Sequence, residues 1–248
     1  MKKTILLGVT IFFASISFAW NAGDGGKTNT LEIHGKGSAN SNFLFNNNIS
    51  NAGNIQDYAA GWGFNYGVGV SMYFGNIGFG VEGLVGNHRG AYAGSLDLVD
   101  SVGTVTGTKE YSSNVNLKVT QIPVFFKMKS EVGGYFEIGP QYNIISEAKY
   151  HFTTDGFQSD SIMTTSYAKS YISAVLGLGF KVPVGKTNFS ILAGLRLQYS
   201  LTDLKGVDAL GREFVNSFVY KDAQSTSAAS GGLLLGVVYT IGDKKKNK

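Results

Sequence analysis

Cysteine is absent from the 248 residues, histidine and proline occur three times each, and charged residues make up only 15%. Without cysteine there is no disulfide, no thiolate chemistry, no Cys-ligated metal and no lipid anchor on an N-terminal Cys. Three scattered histidines give no ligand spacing, and the pair Asp97 and Asp100 offers at most weak contact with a cation. No cofactor and no metal site is therefore expected. Beyond the N-terminus no apolar run is long enough for a membrane helix. The net charge of +4 is small, four lysines fall in the tail (Lys244, Lys245, Lys246, Lys248), and no basic stripe carries interleaved aromatics. Nucleic acid is thus not an expected partner.

The N-terminus is of a different kind. Met1-Lys2-Lys3 is positive, Thr4 to Phe18 is almost wholly apolar, and Ser17-Phe18-Ala19 sets small residues where a signal peptidase reads. The apolar run is too short to span a bilayer, so a cleaved signal peptide over residues 1–19 is expected. Residues 20–243 are read as a single β-barrel domain, followed by a lysine-rich tail, 244–248.

What the chain has in quantity is glycine (34), phenylalanine (17) and tyrosine (13), arranged with a period of two. Trp62, Phe64, Tyr66, Val68, Val70, Met72 and Phe74 alternate with Gly63, Asn65, Gly67, Gly69, Ser71 and Tyr73. Phe189, Ile191, Leu195, Leu197 and Tyr199 alternate with Ser190, Leu192, Gly194, Arg196 and Gln198 in the same way. Side chains alternate faces along a strand, so each such segment has one apolar and one polar or tiny face. Eight strands are expected at 29–43, 58–74, 77–92, 112–129, 134–150, 167–182, 188–202 and 231–241. Short turns and long polar connections (46–57, 93–111, 151–166, 203–230) alternate strictly between them. That rhythm specifies an all-β, eight-stranded antiparallel up-and-down barrel with both termini in the periplasm.

Volume decides which face is inside. An eight-stranded barrel leaves room only for side chains to fill it. The aromatic face would not fit there, whereas the face carrying Gly63, Gly67, Gly69, Gly78, Gly80, Gly177 and Gly179 does. Aromatics outside and near strand ends form the girdle of a transmembrane barrel. Near-zero mean hydropathy suits it equally, since apolar and polar residues alternate.

Gln121-Ile122-Pro123-Val124-Phe125-Phe126-Lys127, followed by Gly134-Tyr135-Phe136-Glu137-Ile138-Gly139-Pro140-Gln141-Tyr142, resembles the core of the outer membrane protein β-barrel, or porin, family common in Bacteroidetes. Leu176-Gly177-Leu178-Gly179-Phe180 and Leu201-Thr202-Asp203-Leu204 fit the same pattern. The resemblance implies an OmpA- or OmpX-like barrel of the bacterial outer membrane, with lipids and the barrel assembly machinery as partners. Its members mostly carry no assigned activity. The chain departs from the pattern at its end, where Tyr239-Thr240-Ile241 is followed by lysines instead of a terminal aromatic.

By the alternation, Glu32, His34, Lys36, Glu82, His88, Lys118, Glu137, Glu147, Lys149, Lys169, Lys181 and Arg196 are expected to face inward. Mixed signs in nearly equal number point to a salt-bridged lumen more than to a selective pore, which single-sign rings would suit better. Pro123 and Pro140 fall inside strands of a closed barrel, and the apolar phase slips from odd (Val115, Leu117, Val119) to even (Ile122, Val124, Phe126). A β-bulge between Thr120 and Pro123 would account for both. Of the candidate bases His34, His88 and His151, none sits in the His-x-Ser pattern of the lipid A deacylases, and no catalytic residue is assigned. The long loops, with Tyr92, Tyr111, Phe157, Phe214, Phe218 and Tyr220, are the expected site of any extracellular binding or adhesion.

Overall fold

A computed structural model describes residues 29–215 and 218–242; the expected signal peptide and the lysine-rich tail lie outside the described residues. The strands are β1 (Asn29–Phe45), β2 (Asp57–Ala59), β3 (Gly61–Phe74), β4 (Ile77–Val99), β5 (Val105–Lys129), β6 (Gly134–Thr154), β7 (Phe157–Ile162), β8 (Ser170–Pro183), β9 (Phe189–Ser200) and β10 (Ser227–Ile241). Every pairing is antiparallel, and β1, β3, β4, β5, β6, β8, β9 and β10 close on themselves as an eight-stranded ring. The closing seam runs the length of β1 and β10, from Leu31↔Ile241 to Phe45↔Ser227. Closure leaves no unpaired sheet edge in the ring.

A glycine with positive φ sits in each of the three tight connections, Gly185 (φ 57°) in the one at 184–188. Gly75 (φ 68°) lies in the turn between β3 and β4, and Gly133 (φ 90°) ends the turn into β6. These turns, with residues 184–188 and both described chain ends, mark one rim of the barrel, the turn rim. The opposite loop rim carries the longer connections.

The outer wall is apolar. Trp62, Phe64, Tyr66 and Val68 on β3 are 63–68% exposed. Phe180, Phe189, Ile191, Leu195, Leu197, Leu233, Leu235 and Val237 are exposed likewise. Such a surface in water would be an aggregation hazard; in hydrocarbon it is the solvated state. The inward positions between them are mostly small or polar, with Leu192, Leu234 and Val238 forming a small apolar cluster inside.

Two connections differ from expectation. Segment 93–111, read as a polar loop, is mostly strand: β4 and β5 run on as a ribbon pairing from Ala93↔Ser112 to Val99↔Val105 around the short turn 100–104. Segment 151–166 is likewise largely strand, because β6 extends to Thr154 and folds back as β7. Here the sheet continues above the apolar band, where both faces meet water and the hydrophobic alternation that marks a strand is lost.

The bulge also differs from expectation. Pairing on either side of Pro123 stays in one register, with Val81↔Val124 and Leu84↔Gln121 against β4, and Pro123↔Gln141 and Phe126↔Ile138 against β6. The shift lies on β6 instead: Lys118 pairs Glu147 while Val119 pairs Ile145, so Ser146 is the extra residue. On β5 every odd residue from Tyr111 to Lys127 points inward without interruption. The apparent slip arose because Val115, Leu117 and Val119 are apolar yet internal.

Candidate functional site

The lumen is filled in layers. Nearest the turn rim, Glu32 pairs with Lys181, and Lys129 donates to Thr30 Oγ1 at 2.9 Å while its ammonium lies 4.3 Å from the Tyr73 ring centre. A cavity of about 40 Å³ opens here, lined among others by Glu32, His34, Tyr73, Lys129 and Tyr135. That space suits a few water molecules and little else.

Above it sits the ionic layer. Glu82 and Glu137 are fully buried, facing each other from β4 and β6. Lys36 bridges them, with Nζ 2.6 Å from Glu82 and 3.1 Å from Glu137. Arg196 spans the same two carboxylates, its Nη1 2.9 Å from Glu82 and its Nη2 on Glu137. Lys127 adds a 3.0 Å contact to Glu137, and His34 Nε2 lies 3.1 Å from Glu82. Phe125 stacks beneath Arg196, 5.0 Å from ring centre to guanidinium carbon. Two glycines make the room. A Cβ on Gly69 would stand 2.5 Å from His34 Nε2 and 2.7 Å from Glu82 Cγ, and one on Gly177 would stand 2.6 Å from Glu137 Cγ. Taking these charges out of water is costly, and only their mutual pairing offsets it.

The third layer is neutral. Gln121 donates to His88 Nε2 at 2.8 Å, and the Tyr171 hydroxyl lies 3.2 Å from His88 Nδ1. Gln141 donates to Asn143 Oδ1 at 2.6 Å, and Asn143 and Gln198 both donate to Ser173 Oγ.

The loop rim is closed by an apolar plug. Val115, Leu117, Val119, Ala148 and Tyr150 from the wall meet Leu204, Val207, Ala209 and Phe214 from the connection between β9 and β10, which folds inward as a cap. Burying each large side chain of the cap contributes roughly 1.5–3 kcal/mol. Asp208 fixes the cap. Its Oδ1 accepts from the backbone N–H of Leu210 and of Arg212 at 2.9 Å, and its Oδ2 accepts from Arg212 Nε at 2.7 Å and the Tyr220 hydroxyl at 2.6 Å. Burial, with the Asp208 carboxylate beside it, holds the Tyr220 hydroxyl above the ordinary tyrosine range. Ala209 is clamped to the wall, its carbonyl accepting from Ser113 and Tyr150.

Of the residues expected in the lumen, Glu32, His34, Lys36, Glu82, Glu137 and Arg196 are buried inside and interlocked, with Lys181 half-buried at the mouth. His88 faces inward but joins the neutral layer. Lys118, Glu147, Lys149 and Lys169 are corrections: all four stand on the outside. Ser146 flips the parity of β6, so Ala148 and Tyr150 point in while Glu147 and Lys149 point out. Lys118 follows from the same phase, since Leu117 and Val119 belong to the plug. Lys169 precedes β8 at the loop rim.

Lys127 and Asp208 went unread. Lys127 had a signal, for it lies between Phe126 and Met128, both exposed on the outer wall. Asp208 had none, because an Asp in a polar loop looks solvated.

His151 Nδ1 bonds Asp160, and Thr153 Oγ1 lies 3.0 Å from His151 Nε2, the order of a nucleophile–base–acid chain. The Asp160 side chain is 81% exposed, so water screens the pair that would have to activate the hydroxyl. Ser95 donates to the Asn54 carbonyl and makes no approach to buried His88. Among the described residues no three His, Asp or Glu side chains gather as a metal site.

A closed eight-stranded ring with an apolar outer wall and an ion-paired interior is the architecture of a bacterial outer-membrane barrel, and residues 13–206 match the family model for the outer membrane protein beta-barrel domain. The chain belongs to that family. No curated protein matches it. Among solved structures it is similar to Neisserial surface protein A, at 13% identity over 84% of this chain and 96% of that one, TM-score 0.38. The N-terminal barrel of Pseudomonas aeruginosa OprF is 15% identical over 87% and 99%, TM-score 0.36. Ail, the attachment invasion locus protein of Yersinia pestis, is 15% identical over 87% and 99%, TM-score 0.35.

Proposed function

We propose that this outer-membrane barrel is a non-catalytic surface-interaction protein, with its turn rim and both termini in the periplasm and its loop rim outside the cell. The observation that supports this reading is the β4–β5 ribbon. From Arg89 to Val99 it reaches roughly 30 Å along the strand direction. Beyond Tyr111, where β6 stops pairing, and Ala93, where β2 stops pairing, both edges of the ribbon are free of neighbouring strands. Its tip is apolar and exposed at Leu98, Val99, Val102 and Val105. Free N–H and C=O groups beside an exposed apolar tip fit an extended segment of another protein, which can add to the ribbon as a further strand.

The test uses intact cells producing the full chain or a variant whose ribbon is cut back at 98–105 to an Asn-Gly turn. Attachment to a cultured epithelial layer is expected to fall several-fold with the variant while the folded barrel stays in the membrane. Equal attachment by both would sink the reading.

The absence of catalysis is part of the proposal. Mass spectrometry of outer-membrane lipids is expected to show no difference between cells with and without the protein. An acyl chain lost only when the protein is present, and retained with His151→Ala, would reverse it.

A further inference from the structure

Around the outside of β4, β5 and β6 the wall changes character over one or two outward positions. Val85 on β4, Ile122 on β5 and Tyr142 on β6 face outward in the apolar band. Above them, past Thr120 on β5 and Ile144 on β6, the outward positions become Asn87 and Arg89, Lys118 and Asn116, and Glu147 and Lys149. On β3, Gly61 packs against the Arg89 backbone, and the neighbouring Trp62 exposes its indole outward (64%). An exposed Trp at the top of an apolar band marks the headgroup level of a bilayer.

Three cations share that level. Arg89 and Lys149 both lie directly opposite Asn116, one on each side, and Lys118 is two residues along the same face of β5. Adjacent strands are about 4.8 Å apart, so three long side chains reach one common volume. Lys118 and Lys149 share a single carboxylate, Glu147, at 2.9 and 3.5 Å. Arg89 has no ion-pair partner among the described residues. A polar cavity of about 330 Å³ adjoins the group, lined by Asn114, Asn116, Lys149, His151 and the His151-paired Asp160 among others. The excess positive charge here is external and touches the bilayer surface, whereas the cations of the lumen are buried among carboxylates.

We propose that Arg89, Lys118 and Lys149 form a binding site for the phosphate group of an anionic lipid in the leaflet at the loop rim. Arg89 supplies a planar fork for two phosphate oxygens, and the two lysines exchange their shared carboxylate for the lipid anion. Phosphate is the common chemistry of a lipid headgroup and the free ion. The lipid is favoured because Val85 and Ile122 place acyl-compatible surface beneath the cations and Trp62 stands beside them at the headgroup level.

The experiment measures binding of dihexanoyl phosphatidic acid, dihexanoyl phosphatidylcholine and inorganic phosphate to the full barrel refolded in zwitterionic detergent, with heat-modifiable gel migration verifying the fold of each variant. Phosphatidic acid is expected to bind at least roughly tenfold more tightly than phosphatidylcholine. The triple variant Arg89→Gln, Lys118→Gln, Lys149→Gln should lose that preference, Glu147→Gln should tighten binding a few-fold, and Lys109→Gln, on the distant ribbon, should change nothing. Equal binding by parent and triple variant overturns the site. Displacement of phosphatidic acid by millimolar inorganic phosphate overturns the lipid assignment in favour of a free-anion site.

Discussion

At the scale of residues, the same pair of charges has a different worth inside and outside the ring. Glu137 is fully buried and holds Lys36, Lys127 and Arg196 together. Replacing it with Ala strands three cations, and the expected loss is about 3–5 kcal/mol. Lys118→Ala removes an exposed, solvent-screened pair with Glu147, and its midpoint is expected to stay close to that of the parent. Urea midpoints of refolded protein in lipid, read from the folded band on gels, test both; equal midpoints for the two variants would refute the contrast. The inward charges on β1, β3-facing β4 and β9 were legible because the outer wall there is uniformly apolar. Lys118 departs from expectation because its apolar neighbours Leu117 and Val119 face the plug and not lipid, and Glu147 and Lys149 do so because Ser146 shifts the phase of β6. Near the loop rim, Val115 and Leu117 face a dry plug, so hydrophobicity there no longer reports the outside.

At the scale of elements, all eight ring strands were visible as alternation, but the reach of β4, β5 and β6 was not. Strand propensity without a buried face leaves little trace in sequence. The ribbon's tip is organised by Asp100, whose carboxylate accepts from the backbone N–H of Val102 and Thr104 at 2.9 Å. The Thr104 and Val102 bonds hold the Asp100 carboxyl below its ordinary value of 3.8. A carboxyl depressed in the folded state gives its full contribution above 3.8 and loses it as pH falls through the folded value. Amide exchange at Val102 and Thr104 should therefore be steady at neutral pH, after correction for intrinsic rates, and accelerate only in stronger acid. Asp100→Ala should show that acceleration at every pH. Protection unchanged by the substitution would dismiss this role for Asp100.

At the scale of the whole molecule, the barrel is blocked twice. The cap held by Asp208 closes the loop rim, and the Glu82–Glu137–Lys36–Arg196 layer closes the lumen below it. Planar-bilayer recording should show no reproducible conductance steps. Nor should steps appear when residues 207–220 are replaced by a short Gly-Ser linker, because the ionic layer remains. Regular steps from that variant would show that the cap alone carries the block. The sequence pointed to a salt-bridged interior but not to the cap, since a loop's return into its own barrel depends on contacts such as Phe214 with the plug, far apart along the chain.

The long β1–β10 seam also imposes an order in time. β1 is ready near the start of the described chain, yet the strand that completes its ladder is the last one made. Until Ile241 is available, any nascent sheet keeps two raw edges, each able to pair with the wrong chain. Closure of this ring therefore waits for β10, and a chain shortened within β10 should fail as a whole instead of losing one strand.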